Sequence, residues 1–149
     1  MTKEVLLAVK GLQLSPENEE EAVEMIAPGE YYFRNGKRYI LYDEVSEGQK
    51  DVTRNIVKFA PDYMEITKKG ITNVHMVFEK NKKNITYYTT PYGSLLIGID
   101  ASKIEISETE DTINCDVEYG LDINYEYVAN CHITMVIKAK GNRDFKIAD

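Results

Sequence analysis

The stretch from Ile113 to Tyr127, INCDVEYGLDINYEY, alternates apolar or aromatic residues with polar ones at every position. A period of two is typical of a β-strand with one face buried. Gly120, on the polar side near the middle, would let a long strand bend. We therefore predict one strand over 113–127, with a turn near Val128-Ala129 after it. Such long, coiled strands belong to barrels, where each strand crosses the whole wall.

The same alternation recurs along the chain and predicts further strands. Between residues 30 and 42 it surrounds Asn35-Gly36, and Asn-Gly between apolar runs is the strongest short hairpin signal. A two-residue turn there places Tyr31 opposite Ile40 and Phe33 opposite Arg38. About ten strand candidates joined mainly by short hairpins predict an all-β fold: an antiparallel meander closed into a barrel of about 8–10 strands, as one domain over 1–149.

Only Ser15 to Ile26 offers a helix, so we predict at most one short helix. Ser15 would be its N-cap and Pro16 its first residue. The alternative is an acidic, solvated connection that leads into a strand at Val23.

Composition excludes several classes of protein. The 149 residues are 43% hydrophobic and 29% charged, which is typical of a globular chain and not of a disordered one. Acidic residues outnumber basic ones by 25 to 18, which argues against nucleic acid as a partner. The longest apolar runs are far shorter than the roughly 20 residues that cross a bilayer. We therefore expect no membrane partner and a cytoplasmic location.

Cysteines, histidines and motifs suggest no metal and no cofactor. If the turn lies near Val128-Ala129, Cys131 and Cys115 are about ten residues apart along paired strands, so we predict two free thiols. His75 and His132 fall on polar strand faces and are expected at the surface. The chain shows no Ser-His-Asp order and no Gly-rich phosphate loop.

Several strings, in order along nearly the whole chain, resemble one family. They are residues 30–32, 36–44, 55–59, 64–70, 76–78, 88–95 and 117–123, together with Asn130. The pair formed by the Asn-Gly hairpin and Thr90-Pro91-Tyr92-Gly93 is the most specific. The chain thereby resembles the YwiB-like family of uncharacterised bacterial proteins. The resemblance implies a calycin-like barrel, similar to lipocalins. One departure is Lys68, where the family pattern has arginine.

Strand parity gives a candidate ligand site. Tyr42 and Glu44 share a face of their strand, and Lys68 shares a face with apolar neighbours. If these faces point inward, Glu44 and Lys68 neutralise each other near one barrel end, where the cluster would orient a ligand's carboxylate or carbonyl. The full set of candidate ligand-binding residues is Tyr42, Glu44, Lys68, Tyr88, Thr90, Met76 and Phe78. The interior apolar positions Met64, Ile66, Met76, Phe78, Leu95 and Ile97 would hold the rest of the ligand.

Three functions remain open at this point. The first is a binding module for a small apolar or semi-polar molecule held in the barrel. The second is a protein-interaction or regulatory barrel whose interior is filled. The third is an enzyme that uses Glu44, Lys68 and a tyrosine hydroxyl for acid-base chemistry. Alternatively, the Glu44–Lys68 pair is purely structural, with its hydrogen bonds satisfied internally.

Overall fold

The computed structural model describes residues 3–11, 24–45, 52–70 and 73–140. These residues form ten strands: β1 Glu4–Lys10, β2 Glu24–Arg34, β3 Lys37–Val45, β4 Val52–Ala60, β5 Tyr63–Lys69, β6 Asn73–Glu79, β7 Lys82–Thr90, β8 Gly93–Glu108, β9 Thr112–Ile123 and β10 Glu126–Ala139. There is no helix in these ranges. Most of the stretch with helical potential, residues 15–23, lies outside them.

Each strand pairs antiparallel with its neighbours in sequence, and β1 also pairs with β10, so the sheet closes into a barrel. The all-β barrel predicted from the alternation is confirmed. The Asn35-Gly36 turn is confirmed as well, since Tyr31 pairs with Ile40 and Phe33 with Arg38. Both turn residues have positive φ, as a type I′ hairpin turn requires.

The prediction of one strand over 113–127 is wrong. β9 ends at Ile123, and the turn falls at Asn124-Tyr125, not near Val128-Ala129. Both turn residues have positive φ, 50° and 71°. The pattern misled because Tyr125 and Tyr127 continue the aromatic positions of β9 across the turn.

The register of β10 changes the faces of its first residues. The pairing shifts between Tyr127 and Ala129, so Tyr127 shares the outer face with Asp122 while Ala129 shares the inner face with Leu121. Tyr127 therefore lies over Gly120, whose Cβ position is 3.7 Å from the tyrosine ring. A methyl group at Gly120 would make only an ordinary van der Waals contact with this ring, and the strand is not broken at this residue.

The new register also changes the argument about the cysteines. Cys131 pairs with Tyr119 and Cys115 pairs with Met135, so the two cysteines are four positions apart and not ten. Four strand positions correspond to about 13 Å, still beyond the roughly 7 Å that a disulfide allows between Cα atoms. Both are free cysteines, as predicted.

The barrel has two mouths. The upper mouth carries the β1–β2, β3–β4, β5–β6, β7–β8 and β9–β10 connections; the lower mouth carries the β2–β3, β4–β5, β6–β7 and β8–β9 connections. Residues 12–23, 46–51 and 71–72 belong to the upper connections and lie outside the described ranges.

Between the mouths the interior is packed with apolar side chains. One belt joins Ile40, Val57, Ile66 and Met76 in register across β3 to β6, and all four have no accessible surface. Below it, Phe78 packs edge-to-face against Tyr119 across the interior, with ring centroids 5.0 Å apart. Zero accessible surface means that no water-sized space adjoins these side chains.

The wall has one weak seam. β6 and β7 pair only at Asn73–Thr89 and Val74–Tyr88, whereas every other neighbouring pair of strands joins through at least six residue pairs. The Asn84 amide donates to the Val77 carbonyl across the gap, at 3.2 Å. β7 contains no fully buried residue.

Candidate functional site

A polar belt lies above the apolar one, near the upper mouth. Register joins Tyr42 to Asn55, Asn55 to Lys68, Lys68 to Val74 and Val74 to Tyr88. These positions share the inner face because side-chain direction alternates along each strand and the pairing keeps neighbours in line. The belt therefore runs inside the barrel across five consecutive strands, β3 to β7.

Glu44, Asn55 and Lys68 form a closed hydrogen-bond triangle. Lys68 Nζ donates to Glu44 Oε1 at 2.9 Å and to Asn55 Oδ1 at 2.8 Å. Asn55 Nδ2 donates to the same Glu44 oxygen at 3.2 Å, and to the Thr53 carbonyl. We call Tyr42, Glu44, Asn55 and Lys68 the upper polar cluster.

The upper polar cluster is graded in exposure. Asn55 has no accessible surface, the Lys68 side chain is 15% exposed and that of Glu44 is 40% exposed. Water therefore reaches the ion pair from the mouth, whereas the Asn55 amide that bonds to it is buried below. The Lys68 ammonium keeps one N–H without a partner among the described residues.

The Tyr42 hydroxyl is the unsatisfied member of the cluster. It is buried and has no hydrogen-bond partner in the described part of the chain. Burial, with a smaller effect from the Glu44 carboxylate, raises the pKa of Tyr42, so the hydroxyl stays protonated. A buried polar group without a partner costs about 1–3 kcal/mol, so its presence needs an explanation.

The other candidate residues take different positions. Tyr88 lies on the belt, opposite Leu95. The Thr90 hydroxyl is engaged in its own turn, donating to the Gly93 carbonyl and accepting from the Tyr92 N–H. Met76 and Phe78 lie deeper and have no accessible surface.

Asn55 was missed by the sequence reasoning. It shares strand parity with Val57 and Phe59, so the alternation already placed it on the apolar side of β4. An amide at an otherwise apolar position is a signal for a buried polar partner.

The outer wall carries a separate charged cluster on β8, β9 and β10. Ligand atoms of Asp116, Glu118 and His132 lie within 4.8 Å of one another. Lys103 Nζ lies among them, 3.3 Å from Glu118 and 3.9 Å from Asp116, and His132 pairs with Asp116. The acidic groups thus already have side-chain partners. His132 and His75 are both about half exposed, as expected of surface histidines.

The surface also holds a wide, open groove of about 510 Å³. It crosses the outside of β1 to β4, with Pro28 and Leu41 flanked by Glu30, Asp43 and Arg54. Its charges are mixed, and Arg54 is paired with Asp43 at 3.3 Å. The described part of the chain contains no helix long and apolar enough to span a membrane.

Comparisons with known proteins agree with the fold. A family model described as a domain of unknown function, DUF1934, matches residues 7–135. The crystal structure of the YwiB protein from Bacillus subtilis is similar, with a TM-score of 0.75 and 20% sequence identity over 92% of each chain. No curated protein matches the sequence. The resemblance to the YwiB-like family is confirmed, while the calycin-like classification stays a prediction.

Proposed function

The chain belongs to the DUF1934 family of domains of unknown function, and from that premise we propose that it is a binding module for a small, partly apolar molecule. The ligand carries a carboxylate or carbonyl group, which the upper polar cluster receives at the upper mouth. Tyr88 and Leu95, which pair beside the cluster, contact its apolar part.

The observation that carries this proposal is the Tyr42 hydroxyl, buried without a partner beside a Lys68 ammonium that has a donor left. A hydroxyl and an ammonium on the same inner face, two register steps apart, are both donors that suit an oxygen acceptor.

The packed interior limits the depth of the site. Because Met76 and Phe78 have no accessible surface, the ligand rests above them at the mouth and does not fill the barrel. This differs from a ligand enclosed by Met64, Ile66 and Ile97, which are also fully packed.

Tyr42→Phe gives the sharpest test, with 11-(dansylamino)undecanoic acid, a carboxylate on an apolar chain, as the fluorescent probe. Removing an unpartnered hydroxyl should leave the melting temperature unchanged or raised, yet weaken probe binding by about fivefold or more, which corresponds to losing one hydrogen bond. Lys68→Met should weaken it further.

Tyr119→Phe is the matched control, because Tyr119 is equally buried but lies away from the cluster, opposite Cys131. The Tyr119→Phe variant should bind the probe with the same affinity as the wild type. If the wild type does not bind the probe, or if Tyr42→Phe and Lys68→Met bind it as well as the wild type does, the proposal is wrong.

A second candidate is a protein-interaction barrel, and the packed interior favours it. Its discriminating measurement is native mass spectrometry of protein purified from cells. A retained small mass that Lys68→Met releases supports the binding module. Protein that retains no small molecule and does not bind the fluorescent probe supports the interaction barrel.

A further inference from the structure

Among the described residues, one ion pair crosses the lower mouth. Arg38 on β3 donates through Nη2 to Glu108 Oε1 on β8. In the ring of ten strands β3 and β8 are five steps apart in either direction, so this contact joins opposite sides of the barrel. Both side chains lie on the inner face, since Arg38 pairs with Phe59 and Glu108 pairs with Ile113.

The guanidinium is poorly satisfied for a group so deeply placed. The Arg38 side chain is 19% exposed, and its Nε is buried with no hydrogen-bond partner in the described ranges. Glu108 accepts from Nη2 alone, although a guanidinium edge offers Nε and Nη together to an oxyanion. One of the two donors on this edge of the guanidinium, the Nε–H, is therefore unused.

Two neighbours of Arg38, Phe33 and Cys115, leave its positive charge uncompensated. The Phe33 ring lies 5.4 Å from the guanidinium carbon. The nearby Cys115 thiol does not compete as an anion, because burial raises its pKa to about 12 despite the opposing effect of Arg38. Glu108 is 45% exposed, so its carboxylate already borders solvent.

We propose that the lower mouth is a second binding site, in which the Arg38 guanidinium takes a small oxyanion through Nε and Nη2 and the Glu108 carboxylate is the internal group that the oxyanion displaces. Carboxylates and phosphates both present two oxygens to a guanidinium edge, so the shared chemistry is an oxyanion with two adjacent acceptors. The site is independent of the upper polar cluster, which lies at the opposite mouth.

The test follows the Arg38 Nε–H resonance of nitrogen-15-labelled protein during titration with sodium acetate and, separately, with sodium phosphate, at constant ionic strength held with chloride. Glu108→Gln removes the competing charge and should bind about tenfold more tightly than the wild type. The anion that binds more tightly identifies the class of ligand.

Arg38→Lys lacks the planar edge, so its melting temperature should not rise with either anion, whereas that of Glu108→Gln should rise. Arg54→Lys is the control, because Arg54 is also paired with a carboxylate but is 70% exposed on the outer wall; it should respond as the wild type does. The proposal is overturned if Glu108→Gln binds neither anion more tightly than the wild type, or if Arg38→Lys responds as Glu108→Gln does.

Discussion

Gly11, which follows β1, has a backbone conformation and surroundings that suit only glycine. Its φ is +85°, and a Cβ there would lie 2.0 Å from the His132 carbonyl oxygen. Gly36 has a similar φ of +76° but open space around it. Comparing substitutions at Gly11 and Gly36 therefore separates the cost of backbone strain from the cost of steric overlap.

We expect Gly36→Ala to lower the free energy of unfolding by about 1 kcal/mol, the cost of a left-handed alanine. Gly11→Ala should lower it by about 3 kcal/mol or more, because β10 must also move away from the new methyl group. Urea unfolding of both variants measures the difference. Equal losses would show that β1 and β10 are not in contact at Gly11.

Glu65 makes a pH-dependent contribution to stability. Burial works to raise its pKa, but hydrogen bonds with Tyr63 and His75 outweigh burial and hold the pKa of Glu65 below its ordinary 4.5. A carboxyl whose pKa is lowered in the folded state contributes its full stability above its unfolded pKa, and loses it as the pH falls through the folded value.

Glu65→Gln should therefore destabilise the protein most near neutral pH, and its difference from the wild type should shrink below about pH 4.5. Urea unfolding over a range of pH tests this expectation. Glu105→Gln, at an exposed carboxylate 3.7 Å from Lys103, is the control and should cost little stability. A Glu65→Gln difference that does not change with pH would contradict the lowered pKa.

At the scale of single elements, the β9–β10 turn carries strain. Tyr125 adopts φ +71° and is 79% exposed, so its ring gains little from packing. A glycine would remove the steric cost of the left-handed conformation.

We expect Tyr125→Gly to raise the free energy of unfolding by about 1 kcal/mol. The control is Tyr92→Gly, at a turn position that is fully exposed and without positive φ; it should lower the free energy by about 0.5 kcal/mol through the greater freedom of the unfolded chain. A loss of stability in Tyr125→Gly would mean that the ring has a packing role.

β7 is attached to the barrel mainly on one side. It joins β6 through two residue pairs and β8 through nine, so the amides of residues 82–87 that face β6 lack ladder partners. We expect these amides to exchange hydrogen far faster than those of β9, and Asn84→Ala to accelerate them further by removing the bond to Val77. Amide exchange followed by NMR tests this. Protection equal to that of β9 would show that the seam is closed in solution.

At the scale of the whole molecule, β1 closes the barrel by pairing with β2 and β10, so we expect the barrel to unfold as one cooperative unit. Leu7 is fully buried on β1, between its neighbours Ala27 on β2 and Ile137 on β10. Leu6, one position earlier, is partly exposed on the opposite face.

Leu7→Ala should lower the free energy of unfolding by about 2–5 kcal/mol in a single transition, because the cavity opens where the barrel closes. Leu6→Ala should cost less than about 1 kcal/mol. Circular dichroism and tyrosine fluorescence during urea unfolding test the single transition. Separate transitions by the two probes would show that β1 unfolds independently of the barrel.

Residues close together in sequence determined the strand pattern of this protein, one hairpin register and one shared strand face. The period of two indicated strands, Asn35-Gly36 determined the register of β2 and β3, and parity alone predicted that Tyr42 and Glu44 share a face. These features were readable because side-chain direction and turn geometry depend on neighbours in sequence.

The tertiary structure decided the rest. Alternation runs through Asn124-Tyr125 without a sign of the turn, because aromatic residues suit either a strand or an exposed turn, and only the pairing of β10 with β9 selects between them. The Asn55 bridge within the upper polar cluster and the contact of Arg38 with Glu108 across the lower mouth depend on which strands meet when the sheet closes. Closure joins residues far apart in sequence, and a local pattern of side-chain directions carries no information about that distance across the barrel.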